Sequence, residues 1–404
     1  MGGDVRETPS RVTDPIYLDY QATTPVAPEV AAAMEPWIQA NFANPHSPSA
    51  MARKAAAAID MAREEVRRIA EGRIHPPHAA RATGLIYFTS GATEAANWAL
   101  KGAAARLPPG RRRIVTLATE HACVLDTVGW LATQGFEVEV LPVGRDGLVD
   151  LDLLAERVDE RTGLVAAMAV NNEIGVQQEI HRIGLIAREK GALLFCDAAQ
   201  GLGRVGRAQD GCDLMSLSSH KIHGPKGIGA LWIRRGVEID PLLHGGGQEG
   251  GLRSGTLSPA LCVGFGAAAR LFTDRRRDEG ERVGWAWDDA HVRALWDFSV
   301  ERLAGWTVNG SMDQRYRGNL NLRRDGIDAA RLISEVREVA FSAGSACASG
   351  SGRPSHVLSA IGLSDREARS SIRLGFGRYT SEEALSRALD LIDEAANRQL
   401  AFGE

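Results

Sequence analysis

Only five of the 47 basic residues are lysines: Lys54, Lys101, Lys190, Lys221 and Lys226. Chemistry that needs a primary amine, capture of an aldehyde as a Schiff base above all, must use one of them. Lys54 and Lys101 fall in helical patterns with small neighbours and read as solvated. Lys190 precedes Gly191 at an expected helix C-terminus, where a cation meets the negative end of the dipole. Lys226, in the turn Gly224-Pro225-Lys226-Gly227, is the runner-up. Lys221 stands apart, in Ser218-Ser219-His220-Lys221 directly after the β-rich run Leu214–Ser218.

Asp197 lies 24 residues before Lys221, at the end of another apolar run, Ala192–Cys196. A carboxylate in that place needs a cationic partner. A protonated pyridine nitrogen is one, and an Asp on the ring nitrogen with a Lys Schiff base is the pyridoxal-phosphate arrangement. Gln200, three residues on, could reach the ring hydroxyl. A phosphate needs donors. Ser90-Gly91-Ala92-Thr93-Glu94 follows the run Leu85–Phe88 and opens a helix, whose free N–H groups attract anions. Serine before glutamate is also a plain capping signal, so this motif alone is weak. Ser218 and His220 could add donors. His121, in Thr119-Glu120-His121 after Ile114–Leu117, offers a ring plane. A nicotinamide or P-loop reading of Gly224-Pro225-Lys226-Gly227-Ile228-Gly229 fails on spacing.

Such residues need a frame. Seven β-rich runs (Leu85–Phe88, Ile114–Leu117, Phe136–Leu141, Leu164–Val170, Ala192–Cys196, Leu214–Ser218 and Ile228–Ile233) alternate with helix-period stretches. That rhythm predicts an α/β fold, a mostly parallel seven-stranded sheet covered by helices, with ligands beyond the carboxyl ends of the strands. Ala50–Ala70 reads as a helix with Met51, Ala55, Ala58, Ala62, Val66 and Ile69 inward. After about residue 254 short strands near Asn319–Leu322, Ala340–Ser342 and Ile372–Phe376 predict a smaller α+β domain. Its last helix is signed by a Thr380/Glu383 capping box. We therefore expect a large cofactor-binding domain at 26–254 and a small domain built from 1–25 and 255–404.

Composition narrows the class. With 404 residues, net charge -4, 44% hydrophobic and 24% charged residues, the chain has no excess of positive charge to hold nucleic acid. No apolar run approaches a membrane span, and the first fifteen residues carry no signal-peptide pattern. Five cysteines, an odd number without a CxxC, suggest free thiols in a reducing cytoplasm. His75-Pro76-Pro77-His78 reads as a solvated loop rather than a metal site.

Taken together the motifs resemble the cysteine desulfurases of the NifS/IscS type, in the class V aminotransferase family of fold-type I pyridoxal-phosphate enzymes. The resemblance is carried by Tyr17–Pro25, Ser90–Glu94, Thr119–His121, Val170–Gly175, Asp197–Gln200, Ser218–Gly224, Arg253–Thr256, Gly344–Cys347 and Ser371–Arg373. It implies that Lys221 holds pyridoxal 5'-phosphate and moves protons, and that His121 stacks on the ring. Asp197 then pairs with the ring nitrogen and Gln200 with the ring oxygen. Ala92, Thr93, Ser218 and His220 bind phosphate, Asn172 lies beside cofactor and substrate, and Arg373 clamps the substrate carboxylate. Thr256 reaches the partner subunit's phosphate, which implies a homodimer.

Cys347 selects the reaction. The small, glycine-bearing stretch Ser345–Gly352 suits a mobile loop that carries a nucleophile. Its thiolate would take sulfur from L-cysteine, leaving L-alanine and a persulfide for a sulfur-acceptor protein, an iron–sulfur scaffold first among them. The same thiol is the one candidate for a transient iron–sulfur ligand; no firm metal site is expected. Gly250 stands where many relatives carry arginine. The chain also ends at Glu404, soon after its last helix, where relatives that dock a scaffold through a longer tail have more chain. The rival readings are a selenocysteine lyase or other relative on this fold and, from another class, a non-catalytic adaptor that would have lost the lysine or the thiol.

Overall fold

The computed structural model describes residues 15–72, 83–205, 211–273, 285–343 and 355–401. The chain opens with the short strand β1 (Ile16–Tyr17), then α1 (Pro28–Gln39) and α2 (Ala50–Ala70). Ser49 caps α2 by accepting from the Ala52 amide at 3.2 Å. The periodic positions of α2 are buried as expected, except Met51, which is 48% exposed.

The seven anticipated strands all form: β2 (Gly84–Thr89), β3 (Arg113–Leu117), β4 (Glu137–Leu141), β5 (Thr162–Met168), β6 (Leu193–Asp197), β7 (Leu214–Ser218) and β8 (Gly229–Arg234). Their order is β2-β8-β7-β6-β5-β3-β4. β8 runs antiparallel to both neighbours and the other pairs are parallel. Alternation puts successive side chains on opposite faces. In β6, Leu194 and Cys196 join the cluster packed with α1 and α2, while Phe195 joins the one under α3 (Ala92–Arg106) and α4 (Ala122–Thr133). Both faces are therefore dry, as a parallel sheet requires. Between β4 and β6 come α5 (Leu151–Arg157) and α6 (Ile180–Glu189), the latter ending at Lys190 with Gly191 in the left-handed region.

The helix α7 (Pro259–Thr273) lies beyond residue 254, yet its Cys262, Phe265, Ala269 and Phe272 pack into the larger core with α2. After it come α8 (Trp285–Arg302), β9 (Thr307–Val308), β10 (Asn319–Arg323), α9 (Ala329–Glu335), β11 (Val339–Ala340) and β12 (Ser342–Ala343). Next are α10 (His356–Ala360), α11 (Asp365–Arg369), β13 (Ser371–Gly375) and α12 (Glu382–Ala401). The antiparallel sheet β12-β13-β10-β9 has its own core, and β1 pairs with β11. The capping box expected at Thr380 and Glu383 is not the one formed. Ser381 accepts from the Ala384 amide, whereas Thr380 Oγ1 turns back to accept from Gly377 N at 3.1 Å. Adjacent hydroxyls compete for a helix start, and the tight Gly377–Thr380 turn engages the first.

Candidate active site

Parallel strands deliver their last residues to one edge, and the expected site residues stand there. β2 ends at Thr89, just before Gly91 and α3. Gly91 is the N-cap and has no side chain to close the helix start, so the first amides of α3, at Ala92 and Thr93, face outward with the positive end of the dipole. A Cβ on Gly91 would meet nothing within 4 Å, but one on Gly229 would come within 2.7 Å of Gly91 Cα. Glycine at 229 thus lets β8 pass close under this cradle. Glu94 pins it, accepting from Ser90 N at 2.8 Å and from Arg253 at 2.7 and 3.1 Å.

His121 follows β3 and is the N-cap of α4. Its Nδ1 accepts from Cys123 N at 3.1 Å, which sets the ring's direction. Beneath it Glu120 is fully buried, with Oε1 accepting from Met168 N at 2.8 Å and Oε2 unpartnered among the described residues. Burial, with the charge of Asp197 behind it, pushes the Glu120 carboxyl well above its ordinary range, which favours its neutral form. Asp197 closes β6 and is 6% exposed; its Oδ1 accepts from Ala199 N and Ser216 Oγ, both at 2.9 Å.

Lys221 sits in the 3-10 turn after β7. Its Nζ donates to the carbonyls of Gln21 and Ala22. Gln200 Nε2 donates to the same Gln21 carbonyl at 2.8 Å, which brings lysine and glutamine to one point. His220 Nδ1 is 3.0 Å from Thr23 Oγ1. Burial, then the Lys221 charge, pushes His220 down to about 4, so it is a neutral ring at pH 7. Ser218 ends β7, buried.

Arg373 comes from the other core, on β13, and is 1% exposed. It donates to the Asn172 carbonyl at 3.0 Å, Asp19 Oδ1 at 2.6 Å and Ser342 Oγ at 3.1 Å. The guanidinium expected at the substrate carboxylate is thus already paired with Asp19. Asn172 meets it through its backbone oxygen. Glu173 is buried, accepts from Ser355 Oγ, and is raised above its usual pKa by burial, with His356, Arg373 and His121 opposing. Thr256 is exposed on the loop after Arg253. Cys347 lies outside the described residues, as do His75 and His78.

The sequence did not single out Arg204, Glu120, Glu173 or the Asp19 partner of Arg373. The last pair spans 354 residues, and only the fold brings it together.

The model of the family described as "Aminotransferase class-V" matches residues 16–387. The chain belongs to the class V aminotransferase family. Within it the chain is 42% identical over 393 residues to "Cysteine desulfurase IscS" of Rickettsia bellii, covering 95% of this chain and 92% of that one. It is 44% identical over 383 residues to "Cysteine desulfurase, mitochondrial" of Arabidopsis thaliana, covering 93% and 81%. A solved structure described as a NifS-like protein superposes with TM-score 0.83 at 32% identity, covering 95% of this chain and all of that one. The cysteine desulfurase resemblance and the expected fold both hold.

The family is pyridoxal-phosphate dependent, and the residues present fit that group. There is an uncapped helix start for a phosphate, a buried carboxylate whose Oδ1 neighbours are both donors, an amide, a ring and an amine at one sheet edge. The departure at Gly250 also has a local reason. Gly250 sits at φ 65 in the turn Glu249–Gly251, a conformation that strains residues with a Cβ. The turn is anchored by Glu249, which accepts from both Arg63 Nη atoms at 2.7 Å and from Phe88 N at 2.8 Å.

Proposed function

We propose that this cysteine desulfurase takes sulfur from L-cysteine, releases L-alanine, and leaves a persulfide on Cys347 for a sulfur-acceptor protein. An iron–sulfur scaffold is the acceptor we favour. The observation that carries the reading is the convergence of Lys221, Gln200 and Asp197 at the carboxyl edge of the sheet, with Arg373 reaching in from the second core. In this reading the cofactor-holding residues belong to the unit 26–254. Arg373 and Cys347 belong to the unit formed by 1–25 and 255–404.

Pyridoxal 5'-phosphate, when bound, supplies an electron sink for the substrate's α-carbon. The amides of Ala92 and Thr93, with Ser218 and His220, would hold its phosphate. Asp197 would face the ring nitrogen, Gln200 the ring oxygen and His121 the ring plane. The Lys221 amine tethers the group and carries the α-proton. Arg373 orients the amino acid through its carboxylate, beside Asn172. The Cys347 thiolate attacks the substrate sulfur: an S–S bond forms, the C–S bond breaks, and its electrons and a proton end on the carbon of alanine. Thiol exchange then passes the sulfur on.

We further infer a homodimer in which Thr256 reaches the phosphate held by the partner subunit, and a cytoplasmic location. Among the described residues no helix is long and apolar enough to cross a membrane, and Cys123, Cys196, Cys212 and Cys262 are buried without forming a disulfide. Release of alanine from L-cysteine by the pyridoxal-phosphate-loaded protein tests the reading. We expect Cys347→Ala to abolish it; alanine formed at the wild-type rate by that variant would refute the role of Cys347. Faster turnover of selenocysteine than of cysteine would move the assignment to a selenocysteine lyase.

A further inference from the structure

Four residues after Gln200, in the turn that leaves β6, Arg204 is 8% exposed. Its Nη1 donates to Gln200 Oε1, and its Nη2 to the backbone carbonyls of Lys221 at 2.6 Å and Tyr20 at 3.4 Å. The guanidinium also lies over the Tyr316 ring, 5.2 Å from its centre. Every one of these acceptors is neutral. Burial pulls the arginine's pKa down, but a guanidinium keeps its proton in proteins. A buried cation held by neutral oxygens is costly unless each bond serves the fold or the site.

The chemistry of the pair decides what this one does. Arginine only donates, so Gln200 must turn its oxygen towards Arg204. Its Nε2 then faces the other way, where one hydrogen goes to the Gln21 carbonyl that also receives Lys221 Nζ. Nε2 carries a second hydrogen, at the end of the amide that shares its acceptor with the lysine amine. With a neutral residue at 204 only the Gln21 carbonyl, which itself receives the lysine amine, would oppose the flipped amide, which presents a carbonyl there instead.

We propose that Arg204 is a positioning residue: it locks the amide of Gln200 so that an N–H, not a carbonyl, meets the cofactor's ring oxygen. The same guanidinium holds the backbone of Lys221. This rests on the function proposed above, because it needs pyridoxal phosphate in the site. An N–H aimed at an oxygen favours the anion, so the loaded protein releases the proton next to that oxygen at lower pH. Without the lock that advantage is lost. The midpoint rises by roughly half to one pH unit, the size of one net hydrogen bond.

The test is a pH titration of the visible absorbance of the loaded protein. It compares wild type, Arg204→Met, Gln200→Ala and the double variant, with thermal melts as the folding control. We expect each single variant to raise the midpoint, and the double variant to go no further than Gln200→Ala. A wild-type midpoint in Arg204→Met, or a shift that adds in full to that of Gln200→Ala, would overturn the inference. Should Arg204→Met not fold, Arg204→Gln is used with the same two outcomes, since it keeps a polar group but permits the flip. A wild-type protein that takes up no pyridoxal phosphate overturns the functional reading itself, and this inference with it.

Discussion

Replacing Asp197 by asparagine exchanges one carboxylate oxygen for an NH2 group and leaves the shape of the side chain nearly unchanged. The structure fixes which oxygen goes. Oδ1 accepts from the Ala199 amide at 2.9 Å, a donor that cannot rotate away, and from Ser216 Oγ at 2.9 Å. The asparagine carbonyl must take that place, and Nδ2 must stand where the second carboxylate oxygen was. Both bonds of the cofactor-free protein survive, so its stability should stay within about 1 kcal/mol of wild type. Pyridoxal phosphate, however, would meet an N–H where a ring N–H needs an acceptor. The loss is at least one hydrogen bond to a charged group, about 1.5–3 kcal/mol. That is roughly 10- to 150-fold weaker binding. The assay titrates cofactor-free protein with pyridoxal phosphate by visible absorbance and follows alanine release from L-cysteine in parallel. A dissociation constant unchanged from wild type, in a variant that melts normally, would refute the assignment of Asp197 to the ring nitrogen.

Further outcomes follow from the same geometry. Burial favours the neutral form of Glu120, so Glu120→Gln should melt within about 1 kcal/mol of wild type, while Glu120→Ala orphans the Met168 amide and costs about 1–3 kcal/mol. Equal and large losses in the two variants, seen in denaturant titrations, would contradict this preference for the neutral form. Burial, then the Arg378 charge, pushes the buried His223 down to about 3, whereas the unfolded ring takes its proton near 6.5. The unfolded state therefore binds more protons below pH 6.5, and stability should be full above that pH and fall as pH drops from about 6.5 towards 3. His220, pushed down to about 4, acts in the same direction. A melting temperature flat between pH 7 and 5 would show that neither ring is buried neutral. Arg63→Ala leaves the buried Glu249 without its bidentate partner and should destabilise by about 3–5 kcal/mol, checked by denaturant unfolding.

What the sequence disclosed was whatever local spacing can write. The strand runs were visible because buried parallel strands are continuous apolar segments, and their last residues then mark the ligand edge. That is how Lys221, Asp197, Gln200 and His121 could be picked out, and why the cradle at Ala92 and Thr93 followed from a glycine before a helix. Errors were of register and competition. Met51 matched the helical period of α2 yet faces solvent at its first turn, and Ser381 caps α12 where Thr380 was expected. The long-range polar pairs were illegible. The Asp19–Arg373 ion pair joins opposite ends of the chain, and the Arg204 contacts join a turn after β6 to one after β7. An arginine buried against carbonyl oxygens has no compositional signature, because its partners are backbone atoms that any residue supplies.

The central claim is that sulfur leaves cysteine and arrives on one thiol of this chain. The direct measurement is mass spectrometry of the pyridoxal-phosphate-loaded protein after brief incubation with L-cysteine, with the adduct located by digestion without reductant. The account predicts one added sulfur atom on the peptide that carries Cys347, together with alanine in solution. An unmodified Cys347 beside released alanine, or sulfur found on Cys123, Cys196, Cys212 or Cys262 instead, would contradict it.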